Sequence, residues 1–110
     1  MIVEVVTGAD ERPEARVVDV DDLGRLHLAL GQVTDEEAAE VLEGAGLGRF
    51  QDSETAVLDV AALRAAAEQQ ATASDWPARW DEMVGQARSK GWLSEDGATL
   101  QVHVESAAGA

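Results

Sequence analysis

The strongest pattern in the chain is a stripe at helical period near its C-terminal end. Trp76, Trp80, Met83, Val84 and Ala87 fall at i, i+4, i+7, i+8 and i+11, while Arg79, Asp81, Glu82, Gln86 and Arg88 take the other faces. Asp75 stands where an N-cap belongs, and Pro77 sits in the first turn, where its missing N–H has no helical partner to lose. Gly91 suits the left-handed position after a helix, which puts Trp92 next, folded back near Ala87 as a continuation of the same apolar face. All three tryptophans are therefore read as core side chains rather than as an exposed recognition patch.

Elsewhere the apolar positions alternate. IVEVV at 2–6 is a β-branched run that stops at Thr7 and Gly8, and the polar, proline-containing GADERPEA at 8–15 reads as a loop. In ARVVDVDDLGRLHLALG, Val18 and Val20 alternate before a turn at 21–24, and Leu26, Leu28 and Leu30 alternate after it. A helix from Val20 to Leu30 would also align Leu23, Leu26 and Leu30, but with Gly24 in its interior, so a hairpin is preferred. Thr34 with Glu37 three residues later forms a capping box for a helix burying Ala38, Val41 and Leu42 and ending at Gly44 or Gly46. TAVLD at 55–59 is a short strand, and Asp59 can cap an Ala-rich helix over 60–70. TLQVHVE alternates again, with Leu100, Val102 and Val104 on one side and Gln101, His103 and Glu105 on the other.

These elements predict one α+β domain over residues 1–105. An antiparallel sheet of three to five short strands (2–6, 16–20, 25–30, 55–58, 99–105) packs against three helices, with the Trp-bearing helix across it. The first or the last strand is expected at a sheet edge. The tail 106–110 has nothing to bury and is expected to be disordered.

Charge changes the picture more than composition does. The chain of 110 residues is 45 % hydrophobic, but Ala is the commonest apolar residue, so a few large side chains must supply most of the burial. Twenty-two carboxylates against eight basic groups give a net charge of −14, spread along the chain. Direct nucleic-acid binding is disfavoured because phosphate contacts need clustered Lys and Arg, and anionic membrane is repelled. A basic protein partner is attracted, although the same charge also serves plain solvation. With no cysteine, disulfides and thiolate chemistry are excluded. MIVEVVTG reads as neither signal peptide nor membrane span, which suggests a cytoplasmic protein.

Few motifs carry chemistry. GAGLGRF at 44–50 is glycine-rich, but it follows a helix instead of opening one, so it reads as a helix stop and not a phosphate cradle. DVDDLG at 19–24 begins like a calcium loop, yet Leu23 and Leu30 occupy positions that need oxygen ligands, which leaves only a looser divalent site open. His27 and His103, the only histidines, fall on strand faces opposite the Leu and Val stripes. Adjacent strands could bring them together with Glu105 or Asp19 as a metal or acid–base site, or they are ordinary surface histidines.

The C-terminal pattern W-x3-W-x2-MV-x2-AR-x2-GW, followed by DG and LQVHVE, resembles a group of short actinobacterial proteins. The resemblance covers Trp76 to Glu105 and implies a bacterial, cytoplasmic origin, with no activity, cofactor or residue role attached to it. Three functional readings follow. The leading one is a non-catalytic, acidic interaction protein that binds a basic protein. The second is a small-molecule or metal-binding protein, or a small enzyme, using a sheet-face cleft near His27, His103 and Glu105. The third is a homo-oligomer joined through an exposed Trp or Leu surface.

Overall fold

A computed structural model describes residues 1–8 and 12–106. Six strands form one mixed sheet: β1 (Ile2–Thr7), β2 (Pro13–Val18), β3 (His27–Leu30), β4 (Gly48–Phe50), β5 (Thr55–Asp59) and β6 (Thr99–Ser106). Three helices accompany them, α1 (Asp35–Gly44), α2 (Val60–Glu68) and α3 (Trp76–Ser89), with a 3-10 turn at Leu23–Arg25. The strand order is β2-β1-β3-β6-β5-β4. β1 pairs antiparallel with β2 and parallel with β3, β3 pairs parallel with β6, and β6-β5-β4 are antiparallel.

The fold is thus α+β as the alternation predicts, but the sheet is neither purely antiparallel nor limited to five strands. The expected hairpin between 16–20 and 25–30 does not form. β2 folds back on β1 instead, through a connection whose residues 9–11 lie outside the described residues. β3 then crosses to the other side of β1, with Ile2 aligned to both Val18 and His27. Segment 19–26 is the crossover, and the turn expected at 21–24 is its 3-10 turn. Pro13, expected in a loop, opens β2, an edge strand where its missing N–H breaks no ladder. The edges are β2 and β4, so neither the first nor the last strand lies at one. β6 also runs through Ser106, one residue into the expected tail; 107–110 lie outside the described residues.

β4 is three residues long and begins at Gly48, where a Cβ would lie 2.2 Å from the Val57 carbonyl oxygen. Only glycine lets β4 approach β5 this closely. The glycine-rich stretch therefore ends α1, as read, and also admits a strand.

One sheet face carries the core. Val3 and Val5 of β1, Leu28 and Leu30 of β3, Ala56 and Leu58 of β5, and Leu100, Val102 and Val104 of β6 are all buried. α1 adds Ala38 and Leu42, and α2 adds Leu63 and Ala67. α1 packs against β2 and β1 on one side and β4 on the other, so the sheet curls until both edges meet the same helix. Both caps form as the sequence implies. The Glu37 N–H donates to Thr34 Oγ1 at 3.1 Å and the Thr34 N–H to Glu37 Oε1 at 2.9 Å; the Ala62 N–H donates to Asp59 Oδ1 at 2.8 Å. Asp75 occupies the N-cap of α3, but its side chain makes no capping bond.

Trp76 and Trp80 are buried and stacked, with ring centroids 5.4 Å apart, as the stripe predicts. The Trp76 indole N–H donates to the Val20 carbonyl at 2.7 Å, tying α3 to the crossover. Trp92 corrects the expectation. The backbone closes as foreseen, with Gly91 at φ 79° and the Trp92 N–H on the Ala87 carbonyl at 2.9 Å, yet the residue is 47 % exposed. The helix stops one turn too soon for this ring to reach the core its predecessors fill.

Exchanging Trp76 for Phe keeps an aromatic ring but leaves the buried Val20 carbonyl without its donor. Urea unfolding should show a loss of about 1–3 kcal/mol for Trp76→Phe, whereas Trp92→Phe should stay within about 0.5 kcal/mol. Equal losses from both would contradict this division of roles.

Candidate binding groove

The residues singled out in the sequence separate in space. His27 and Glu105 do meet, because the β3–β6 register sets Ala29 opposite Glu105, and His27 Nε2 lies 3.4 Å from Glu105 Oε2. The pair sits on the outer sheet face, its side chains 20 % and 62 % exposed, and an ion pair in that setting stabilises the fold little. His103 shares this outer face, aligned with Thr55 of β5. Among the described residues no group of three His, Asp or Glu side chains converges as a metal site. The DVDDLG stretch is the crossover itself. Asp19 has φ 50°, and one oxygen of Asp21 accepts from the Thr72 hydroxyl at 3.1 Å while the other is buried without a hydrogen-bond partner. The Met1 amino group donates to the Asp22 carbonyl there, and burial pulls its pKa below 8.0 against the opposing charges of Asp22 and Asp19.

The concavity lies elsewhere, where two parallel strands part. β3 and β6 pair from Leu28 and Val104 onward. Upstream, the chain before β3 leaves the ladder through Leu26 and the 3-10 turn. On β6 the same edge is taken further back by Trp92 and Leu93: the Gln101 N–H donates to the Trp92 carbonyl at 2.8 Å, and Leu93 bridges Leu100. Val102 and His103 lie between these two attachments. There the sheet opens, and the last turns of α3 roof the opening with Met83, Ala87 and Lys90.

The groove has a volume of about 340 Å³, at the small end of the roughly 300–1,000 Å³ of small-molecule sites. Its walls include the buried Leu100 and Val102 and the half-buried Leu26, with Trp92 at the side. Lys90 Nζ lies 4.8 Å from the Trp92 ring centroid, within cation–π range. Hydrogen bonds alternate along β6: the Val104 N–H donates to Glu54 on the β5 side, and the Gln101 N–H to Trp92 on the other. The His103 N–H therefore points toward the β3 side, upstream of the first β3–β6 pair.

Of the sequence candidates, only His103 lines the groove; His27 and Glu105 do not. The groove is a wedge at the sheet's opening, and it shares only His103 with the cleft expected near the histidines. Lys90, Trp92 and Met83 were missed as site residues. Signals existed: Lys90 is the only lysine in the chain, and it adjoins the one tryptophan that lies beyond the helical stripe.

The turn that positions this rim is held by Asp96. It accepts from the Ser94 hydroxyl at 2.6 Å and the Ala98 N–H at 3.0 Å, while the Ser94 N–H donates to Thr99 across the turn. No protein-family model matches the chain, and neither a curated protein nor a solved structure matches it. Among the described residues no helix is long and apolar enough to cross a membrane.

The Ser94 hydroxyl first, and then the Ala98 N–H, lower the Asp96 pKa below its ordinary 3.8. A carboxylate held below its unfolded value contributes above that value and loses its contribution as pH falls through the folded pKa. Carboxyl NMR titration should therefore place Asp96 below 3.8, and Ser94→Ala should return it toward 3.8. An unchanged value in the variant would remove the hydroxyl as the cause.

Proposed function

We propose that the protein is a non-catalytic binding protein that holds a small amphipathic molecule in the groove between α3 and β6. The observation that carries this reading is the conjunction of a concavity walled by core side chains with an exposed tryptophan at its rim. Trp92 is the one large apolar side chain exposed among the described residues. An aromatic ring of this size gains roughly 25 cal/mol for each Å² of apolar area removed from water, so a ligand that covers it recovers burial the fold forgoes.

The three indole N–H signals of the labelled protein provide the test. A small aromatic or aliphatic ligand at millimolar concentration should shift the Trp92 indole saturably and leave those of Trp76 and Trp80 in place. If no apolar fragment moves Trp92, or all three indoles move together, the groove is not a binding site.

A second reading is supported by α1, and it keeps the basic protein partner. Glu36, Glu40 and Glu43 stand exposed at i, i+4 and i+7, the helix contains no basic residue, and no described cation pairs with any of the three. Like charges at this spacing cost a helix about 0.2–0.5 kcal/mol per pair, which a basic partner would offset. An oligolysine peptide should bind with steep salt dependence and lose affinity in Glu36→Lys/Glu40→Lys. If Glu54→Lys/Glu95→Lys weakens it equally, the attraction belongs to net charge and not to α1.

A further inference from the structure

We infer that the groove selects ligands carrying a single negative charge on a compact apolar body, that is, small apolar monocarboxylates. This inference rests on the groove being a binding site and adds the charge of what it holds.

Charge distribution supplies the main reason. Asp and Glu make up 22 of the 110 residues, yet no described Asp or Glu lines the groove. The only lysine does line it, and so does one of the two histidines. Lys90 joins none of the described ion pairs; its recorded partner is the Trp92 ring. The groove thus brings a cation, and no described carboxylate, to an apolar wall on a strongly acidic chain.

Donor count sets the ligand's class. A carboxylate needs one cation and one or two hydrogen-bond donors. Lys90 supplies the first. The side chains of Gln86 and Gln101 and the His103 backbone N–H, which point to or line the groove, can supply the second. A phosphate or a dicarboxylate asks for more positive charge than this. α3 ends at Ser89 beside the groove, so its negative pole partly offsets Lys90. One negative charge is balanced by this arrangement; two are not. The remaining wall of Leu26, Met83, Leu100, Val102 and Trp92 asks for an apolar body, and the volume limits it to about one ring system or a short branched chain.

The test uses the full chain, isotope-labelled, with 3-phenylpropionate, indole-3-acetate and hexanoate, each beside its neutral primary amide and with phenyl phosphate as the dianion. The Trp92 indole and the amides of Leu26, Val102 and His103 report binding. The acids should bind about tenfold more tightly than their amides, and phenyl phosphate no more tightly than the acids. Lys90→Gln, an exposed change that should leave the rest of the spectrum in place, should weaken the acids by about the same factor and leave the amides unchanged. Acids and amides binding equally to the unaltered protein would overturn the charge selection while the groove stands. Phenyl phosphate binding about tenfold more tightly than any acid would overturn the single-charge class. If neither acids nor amides bind below about 10 mM, the groove reading falls and this inference falls with it. Shifts that depend on protein concentration without ligand would show a second copy on Trp92 and overturn both.

Discussion

The structure depends on how segment 17–22, the end of β2 and the start of the crossover, is held where it leaves the sheet. β2 and β3 end and begin at the same end of β1, on opposite sides of it, so the chain must pass from one to the other without a ladder to satisfy its backbone. Distant groups take over that task. The Trp76 indole donates to the Val20 carbonyl, the Gln70 amide to the Val17 carbonyl at 2.9 Å, and the Met1 amino group to the Asp22 carbonyl. One of these comes from α3, one from the end of α2 and one from the start of β1. The crossover is thereby the point where helices and sheet are fastened to each other, and Trp76 does more there than fill space.

The groove follows from the same geometry. Because the crossover arrives at β3 through the 3-10 turn, β3 joins β6 late, at Leu28. Because α3 ends at Ser89 and the chain turns at Gly91, Trp92 reaches β6 early, at Gln101. The opening is the interval left between those two arrivals. Three segments far apart in the chain each bring an ordinary residue to it, and only their meeting makes a concavity. Its charge is equally collective: one lysine counts for little on most surfaces, but here it joins a lining that holds no described carboxylate.

Local structure was legible in the sequence wherever its cause was local. The capping box at Thr34 and Glu37, the Asp59 cap and the stop at Gly91 rest on contacts within a few residues, and the helical period of Trp76, Trp80 and Ala87 names the face that is buried. Strand partnership was not legible, because alternation along β1, β3 and β6 reports which face is buried and nothing about which strand lies alongside. β4 escaped notice because three residues cannot display a period, and its Gly48 reads equally as a helix stop. Trp92 was misplaced because a helix-closing turn fixes the backbone and leaves open whether the core extends far enough to receive the ring. His27 and Glu105 were assigned to one face and meet there, but although they share that face with His103, only His103 lines the groove.

β6 follows every other strand in chain order and yet lies in the middle of the sheet, between β3 and β5. Without it the sheet would be two separate pieces, β2-β1-β3 and β5-β4, each with an open edge that β6 closes. Pairing Leu28 with Val104 closes a long loop, so that ladder carries a larger loop-closure cost than the β1–β2 or β4–β5 hairpin. An unpaired edge of β3 or β5 would be an apolar template for another chain, and the mutual repulsion of chains with a net charge of −14 opposes such pairing. The charge on the surface thus also works against edge-to-edge association wherever β6 is not in place.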